Sequence, residues 1–560
     1  MLKKIPFILL LIVVACNSTT AQQFRRDTDG LNLEQTLRII QTQYVDEVDT
    51  QALSQAAIRA MLRELDPYSS FHTAEETEEM NAALQGTFTW YGIGIQFNMA
   101  TDTVAVLEVI SGGPAQQVGL MPGDRIISVN DTIVSGVQMN NQDVVSRLRG
   151  PRGVPVNIEV RRRGVPELLN FRIVRDRIPN FSIDAAYMVT DDIGYIRISR
   201  FGTTTGAEFR RAQRELRAQG MQHLIVDLTG NTGGILQVAA EISSEFLEAG
   251  RLIVYTEGRN QPRLTMNALR GGELLDGRVV VLVDELSASA SEILAGALQD
   301  WDRGVIVGRR THGKGLVQRQ ISLPDNSMIR LTVARYYTPT GRSIQRPFEL
   351  GNIEAYNQDL LDRVLHGEML HADSIQFPDS LRFNTLVNER TVFGGGGITP
   401  DYFVPVDTAM FRSTRLHLHL HNGGFIIRTA MNEVDHHRED LLRRYPNAAA
   451  FQNNFRIPQR MFDTLRNMAE SNEIEWDDEQ FEQSLPIISR QIRGFMARDL
   501  YDMSASVQIW NEGDNIFQEG LRIISDPERY ENLLRGIGSN VGTNGLIMPH
   551  VTPATRVLIR

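Results

Sequence analysis

The sequence predicts a mixed α/β fold, because strand-like and helix-like patterns alternate along its central part. From residue 193 onward, the apolar segments IGYIRIS, HLIVDL and RVVVLVDE have the composition of buried strands, and residues at helical spacing follow each of them. Strands that alternate with helices are typical of a sheet with helices packed on it. With 42% hydrophobic and 22% charged residues, the 560-residue chain fits a folded protein of about three or four domains.

The first residues have the composition of an export signal. Lys3 and Lys4 precede the apolar run Ile5–Ala15, which is too short to span a bilayer. Two processing sites fit: VVAC resembles a bacterial lipobox with Cys16 as the lipidated residue, and TTA resembles an ordinary cleavage site. We expect a signal peptide over 1–21 and a periplasmic protein, anchored to a membrane only if Cys16 is lipidated. Cys16 is the only cysteine, so no disulfide is expected.

The patterns divide the rest of the chain into further predicted domains. Residues 25–88 carry apolar side chains at helical spacing and are predicted as an N-terminal helical segment. Residues 89–177 combine glycine-punctuated strands with short helices and are predicted as a small domain. The α/β core is predicted over 180–410 with an insertion at about 346–392, and residues 411–560 are predicted as a separate, mostly helical C-terminal domain.

The basic residues have an unusual composition. The 57 lysines and arginines include only three lysines, namely Lys3, Lys4 and Lys314. Arginine keeps its proton in proteins, whereas a desolvated lysine can lose it and act as a base. A position that kept lysine in this background therefore indicates a need for a deprotonated amine. Survival of one lysine by drift would also explain the count, so a catalytic role for Lys314 requires a partner residue as well.

A suitable nucleophile precedes this lysine in the segment VVVLVDELSASASEILAGALQD, which has the pattern of a buried strand that runs into a helix. Ser289 and Glu292 have the spacing of a capping box. The alternative is therefore that Ser289 caps the helix and has no catalytic role. A serine at a helix N-terminus also lies beside free N–H groups that stabilise an oxyanion. Lys314 follows the next strand, VIVG, and Gln318 is placed to orient its amine.

Several segments resemble the C-terminal processing peptidase family, also called tail-specific proteases. They are, in the family's order, LDPYSSF, HLIVDLTGNTGG, SASASEILAGALQD, GKGLVQ, LTVARYYTPTGRSIQ and GGGITPD. The resemblance covers about residues 31–410. It implies a crotonase-like α/β protease core with an inserted PDZ domain, in which Ser289 and Lys314 form a Ser-Lys dyad and Gln318 supports the lysine.

The resemblance also implies an oxyanion hole. Its donors would be the amide of Ala290 and an amide of the glycine loop, for which Gly234 is preferred over Gly233. The glycine loop departs from the family pattern DLRGNPGG at Thr229 and Thr232. Leu286 stands where glycine is frequent in the family before the serine cluster, and none of these three departures affects the dyad.

The segment GGPAQQVGLMPGDRIISVND is similar to PDZ domains. Such domains bind an extended C-terminal peptide by strand addition and hold its carboxylate on loop amides. The resemblance places that loop at Tyr91, Gly92, Ile93 and Gly94. A domain with only a packing role is the alternative.

The histidines suggest two other kinds of site, namely a Ser-His-Asp triad with His312 as the base and a metal site at residues 417–421. His312 is close to Lys314 in sequence, but the dyad needs no histidine base. His417, His419 and His421 alternate as on an exposed strand, and no acidic or cysteine ligand is spaced for a metal.

We therefore expect an exported serine endopeptidase that cleaves proteins near accessible C-termini without a metal or cofactor. A net charge of -11 argues against nucleic acid as a partner, and oligomers remain compatible with the sequence. The alternatives are a PDZ scaffold without catalysis and an acyl-transfer enzyme on a related core.

Overall fold

The computed structural model describes residues 29–99, 102–407 and 413–541. The predicted signal peptide and Cys16 lie outside these residues. The chain forms two compact units. The first consists of residues 29–74 with 318–332 and 348–356, and the second contains the other described residues.

The described residues contain helices and strands in alternation, with two short 3₁₀ turns after α9. The helices are α1 (29–43), α2 (Thr50–Arg63), α3 (Ala74–Leu84), α4 (Pro114–Gln117), α5 (Asn141–Leu148), α6 (Thr205–Ala218), α7 (Leu236–Ser243), α8 (Ala290–Asp300), α9 (Ile353–Leu365), α10 (Arg415–Asn422), α11 (Phe425–Arg444), α12 (Ala448–Asn454), α13 (Gln459–Glu470), α14 (Asp478–Leu500), α15 (Met503–Asn511), α16 (Asn515–Ser525) and α17 (Pro527–Leu534). The strands are β1 (Ser70–His72), β2 (Thr87–Gly92), β3 (Ile95–Asn98), β4 (Val104–Val109), β5 (Arg125–Val129), β6 (Thr132–Ile133), β7 (Pro155–Arg161), β8 (Leu169–Val174), β9 (Asp176–Pro179), β10 (Ile183–Met188), β11 (Ile193–Ile198), β12 (His223–Asp227), β13 (Leu252–Gly258), β14 (Gln261–Asn267), β15 (Val279–Val283), β16 (Val305–Gly308), β17 (Leu316–Ser322), β18 (Met328–Tyr337), β19 (Arg382–Asn384), β20 (Thr391–Phe393) and β21 (Tyr402–Phe403).

In the first unit, the LDPYSSF segment fixes the turn that follows α2. Asp66 accepts hydrogen bonds from the backbone N–H of Tyr68 at 2.8 Å and of Ser69 at 3.0 Å. Its Oδ1 also accepts the hydroxyl of Thr332 at 3.0 Å. β1 then pairs antiparallel with the beginning of β18. The segment is thereby tied to the beginning of β18.

The second unit is organised around a six-stranded sheet of order β10-β11-β12-β15-β16-β21. Only β10 pairs antiparallel with its neighbour, and the other pairs are parallel. All five residues of β15 are buried, as expected for a central strand covered on both faces. The mixed α/β class predicted from the sequence is confirmed.

The two faces of this sheet are covered by helices from different parts of the chain. Apolar residues of α6, α7 and α8 share one core with residues of β11, β12 and β15. On the other face, Phe517 and Ile524 of α16 and Tyr530 of α17 pack against Ile225 and Leu282. Residues 413–541 are mostly helical, as predicted for the C-terminal region, and their last helices, α16 and α17, complete the core on this face of the central sheet.

Residues of α10 to α14 form their own apolar core. The strand predicted through His417, His419 and His421 is wrong, because these residues lie on α10. The Thr414 side chain caps this helix by accepting the N–H of His417 at 3.2 Å. Leu416 and Leu420 are buried and lie one turn apart, which is the helical period. Among the described residues, no helix is both long enough and apolar enough to cross a bilayer.

The small domain is an antiparallel sheet of order β3-β4-β5-β7-β8, with β6 beside β5 and with α4 and α5 packed on its core. β2 pairs with β9, so the chain enters and leaves this domain at the same place. β3 is an edge strand.

Candidate active site

Three loops meet at one edge of the central sheet. They follow β12, β15 and β16, which are neighbouring parallel strands, and they span 228–235, 284–289 and 309–315. Parallel strands present their carboxyl ends at the same edge, where open α/β sheets bind ligands. Each loop carries one predicted site residue, namely Gly234, Ser289 and Lys314.

Ser289 occupies a sharp turn between β15 and α8. Its φ of 56° and ψ of -110° lie outside the regions that residues with a Cβ ordinarily adopt. Such strain persists only where surrounding contacts enforce it, and it is concentrated at functional sites. Ser289 is half-buried, and the next residue, Ala290, begins the helix with its N–H directed out of the helix end.

Glu292 connects the loop 284–289 of the predicted nucleophile Ser289 (the nucleophile loop) to the loop 309–315 of Lys314 (the lysine loop). Its fully buried carboxylate accepts the backbone N–H of Ser289 at 2.7 Å and of Lys314 at 2.9 Å. It also accepts the N–H of Gly313 at 2.7 Å and the hydroxyl of Thr311 at 2.5 Å. Burial raises the pKa of Glu292, and these hydrogen bonds oppose the rise. The capping-box spacing indicated only the contact with Ser289, so the sequence did not reveal this role.

Tyr336 makes a second connection between the same two loops. Its hydroxyl, which can donate, lies 2.7 Å from the carbonyl oxygen of Lys314 and 3.1 Å from that of Ser289. The ring is buried. No feature of the sequence distinguished Tyr336 from other core aromatic residues.

The glycine loop is held against the nucleophile loop by Asn231. The Asn231 side chain donates to the carbonyl of Ile198 at 2.7 Å and accepts the N–H of Gly233 at 2.8 Å. Its own carbonyl accepts the N–H of Ala288 at 3.0 Å. Asn231 is fully buried, so these bonds are shielded from water. No feature of the sequence distinguished Asn231 as a residue of the site.

Gly233 and Gly234 differ in whether their backbone N–H groups are hydrogen-bonded. The Gly233 N–H is occupied by Asn231, whereas the Gly234 N–H has no acceptor within the part of the chain that the structure describes. At Gly233, φ is 104° and a Cβ would lie 2.8 Å from the Cβ of Ser289, so a side chain there would collide with the nucleophile loop. This geometry favours Gly234 as an oxyanion donor, a role that stays a prediction.

Lys314 is half-buried in a loop that is fixed by its backbone. Beyond its bond to Glu292, the following Gly315 donates its N–H to the side chain of Gln345 at 2.8 Å. Gln318 belongs to the first unit, where its amide donates to the hydroxyl of Thr332 at 3.3 Å. The orientation of the lysine amine by Gln318 therefore stays a prediction.

His312 is a poor candidate for the base. Burial and the positive charges of Arg346 and Arg363 lower the pKa of its ring to about 4. A general base works best when its pKa lies near the working pH. The ring is therefore neutral and weakly basic at neutral pH.

The predicted peptide-binding loop precedes the edge strand β3. The carbonyl of Ile93 accepts the N–H of Ala115 at 2.7 Å, and that of Gly94 accepts the N–H of Ile110 at 2.9 Å. The carbonyl of Tyr91 accepts the N–H of Gly150 at 3.2 Å, and Gly92 packs beside the Trp90 ring. An edge strand has the free backbone groups that strand addition requires. Peptide binding by Tyr91, Gly92, Ile93 and Gly94 stays a prediction.

The histidines of α10 have protein partners. The ring of His417 lies 2.8 Å from the hydroxyl of Ser413 and 3.0 Å from the side-chain oxygen of Gln491. Across residues 29–99, 102–407 and 413–541, no group of three or more His, Cys, Asp or Glu side chains is arranged to hold a metal ion.

Four family models match consecutive parts of the chain. Peptidase family S41 matches residues 192–351, and the PDZ domain matches 92–173. The N-terminal domain of the activating protease CtpB matches 14–77. A family of unknown function, DUF8443, matches 416–502.

The chain is also similar to carboxy-terminal processing proteases of bacteria. It is 36% identical over 340 residues to the carboxy-terminal-processing protease of Bartonella bacilliformis, covering 60% of this chain and 77% of that protein. It is 33% identical over 336 residues to the carboxy-terminal processing protease CtpB of Bacillus subtilis, covering 59% and 69%. The solved photosystem II D1 C-terminal processing protease is 30% identical over 55% of this chain and 83% of that chain, but the TM-score is 0.32, which is too low to support an argument from structure.

Proposed function

The chain belongs to peptidase family S41 as a carboxy-terminal processing serine protease with a PDZ domain, and we propose that Ser289 and Lys314 are its catalytic dyad. The observation that carries this proposal is the shared carboxylate of Glu292, which bonds the backbone of both residues. A structural helix cap would need only the bond to Ser289. The bond to Lys314 fixes the distance between the two loops.

The proposed reaction begins with attack of the Ser289 hydroxyl on the scissile carbonyl. A neutral Lys314 amine takes the hydroxyl proton, and the amides of Ala290 and Gly234 stabilise the oxyanion that forms. The lysine then passes the proton to the leaving amine, and the acyl-enzyme remains. Water deprotonated by the same amine hydrolyses the ester. These steps require Lys314 to be neutral in the resting enzyme, which arginine could not be.

We further propose that the substrates are exported proteins cleaved near their C-termini. The PDZ domain supports this substrate class, since it would bind the terminal carboxylate at residues 91–94 and extend the tail along β3. The N-terminal sequence supports export, and lipidation of Cys16 would add an anchor to a membrane. Fractionation of cells, with palmitate labelling of the wild type and of Cys16→Ser, tests the localisation. A cytoplasmic protein would overturn it.

The dyad is tested with Ser289→Ala and Lys314→Arg on a peptide with a free C-terminus. In both variants kcat should fall at least a thousandfold. Removing a nucleophile or its base leaves only the rate enhancement that comes from substrate binding, as in other serine proteases. Ser322→Ala, an exposed serine of β17, is the matched control and should keep full activity. If either dyad variant cleaves at the normal rate, the assignment is wrong.

A further inference from the structure

An arginine of the predicted insertion holds the backbone of the lysine loop. Arg363 lies on α9, and its side chain is only 4% exposed. Its Nη2 donates to the carbonyl of Arg310 at 2.8 Å, and its Nη1 donates to the carbonyl of Thr311 at 3.2 Å. These two carbonyls precede Lys314 by only a few residues. The guanidinium therefore bridges consecutive peptide units of the loop that carries the base.

Glu368 holds this arginine in place. Its Oε1 accepts the Nε of Arg363 at 2.9 Å and the Nε of Arg310 at 2.7 Å, and its Oε2 accepts the Nη2 of Arg310 at 2.5 Å. Burial alone would raise the pKa of Glu368, but the hydrogen bonds and charges of the two arginines lower it below the ordinary value. The carboxylate thus stays ionised, and it holds both arginine side chains in one defined geometry.

The cluster leads to the dyad through one residue. Thr311, whose carbonyl receives Arg363, donates its hydroxyl to Glu292 at 2.5 Å, and Glu292 binds the N–H groups of Ser289 and Lys314. Without such support the loop would be mobile, because Gly313 and Gly315 flank the lysine. Only a planar guanidinium can reach two carbonyls and a carboxylate together, and lysine offers a single point charge.

We propose that Arg363 is a positioning residue for the general base. It acts through the backbone of residues 310 and 311 and keeps Lys314 in register with Ser289, so that the predicted insertion is part of the catalytic apparatus. The inference rests on the proposed dyad. Because near-attack geometry is sensitive to displacements of about 1 Å, loss of this support should lower kcat much more than it raises KM.

The experiment compares Arg363→Gln and Arg363→Lys with the matched control Arg382→Gln, an exposed arginine of the same segment that pairs with Asp379. Steady-state kinetics on one peptide gives kcat and KM per folded molecule, with the folded fraction taken from the calorimetric unfolding enthalpy. We expect kcat to fall at least tenfold in both Arg363 variants, with KM within about twofold of the wild type. Arg382→Gln should match the wild type.

The outcomes separate this inference from the dyad assignment. If Ser289→Ala is inactive while folded Arg363→Gln keeps its kcat, the dyad stands and the positioning role is wrong. If activity is lost only in proportion to the folded fraction, Arg363 is a stability residue and the proposal also fails. If Ser289→Ala retains activity, the proposed function itself is wrong. Rescue of kcat by Arg363→Lys would likewise contradict the requirement for a planar guanidinium.

Discussion

Replacement of Glu292 by glutamine tests whether the shared carboxylate assembles the active site. The carboxylate accepts four hydrogen bonds, two on Oε2 from Ser289 and Lys314 and two on Oε1 from Thr311 and Gly313. Glutamine has the same shape but only one acceptor oxygen. Whichever way its amide is turned, an –NH₂ group faces at least one backbone N–H that it cannot accept.

The loss of stability in Glu292→Gln follows from these four hydrogen bonds. With the amide oxygen toward Ser289 and Lys314, the buried N–H of Gly313 is left unsatisfied, at about 1–3 kcal/mol. The two remaining bonds lose the assistance of the negative charge, at about 1 kcal/mol each. Glutamine is uncharged, so the cost of burying a negative charge disappears and offsets part of this loss. Glu292→Gln should therefore lower the free energy of unfolding by about 2–4 kcal/mol.

Urea denaturation followed by near-UV circular dichroism measures the free energy of unfolding, and peptide cleavage at 25 °C measures kcat of the folded variant. We expect kcat to fall at least tenfold, because the loops of Ser289 and Lys314 lose their common acceptor. Glu470→Gln, which removes an exposed carboxylate paired with Arg466, is the control and should change unfolding by less than about 0.5 kcal/mol. If Glu292→Gln were as stable as that control and cleaved at the wild-type rate, the carboxylate would not organise the site.

Two further predictions concern other titrating groups. His312→Gln should keep kcat/KM within about fivefold of the wild type at pH 7.5, because a ring with a pKa of about 4 is too weak a base to take the proton efficiently; a loss as large as that of Lys314→Arg would contradict this. Burial raises the pKa of Asp499 to about 6 from 3.8, so the stability it contributes is present below pH 3.8 and is lost as the pH rises through 6. The unfolding free energy of the wild type minus that of Asp499→Asn should therefore fall by about 2–3 kcal/mol between pH 4 and pH 7 in urea titrations, and a constant difference would refute the assignment.

The elements that local patterns determine were predictable, and the contacts that tertiary register determines were not. The strand, loop and helix around Ser289 follow from a continuous apolar run and from capping-box spacing, both of which are short-range signals. The same signals placed Lys314 after the next parallel strand. Tyr336 and Asn231 act through bonds to backbone groups far away in sequence, and nothing in their own neighbourhoods indicates those partners.

The wrong prediction of a strand through the histidines of α10, and the unforeseen packing of α16 and α17, have physical reasons as well. The alternation of leucine with histidine in α10 satisfies a strand period, and the buried pair Leu416 and Leu420 satisfies a helical period equally well. The length of this segment did not distinguish a strand from a helix. The packing of α16 and α17 on the protease sheet was missed because an apolar helix face does not reveal which surface it will cover.

The half-buried Lys314 is the only lysine among the residues that the structure describes. Lysine carrying ¹³C at its ε-carbon, supplied during growth, would therefore give a single resonance from this part of the chain. The shift of that resonance against pH measures the acid constant of the amine without any substitution. Repeated with a peptide bound, the same titration would follow the ionisation of the base at the substrate-engaged site, in a protein whose numerous arginines are spectroscopically silent to the label.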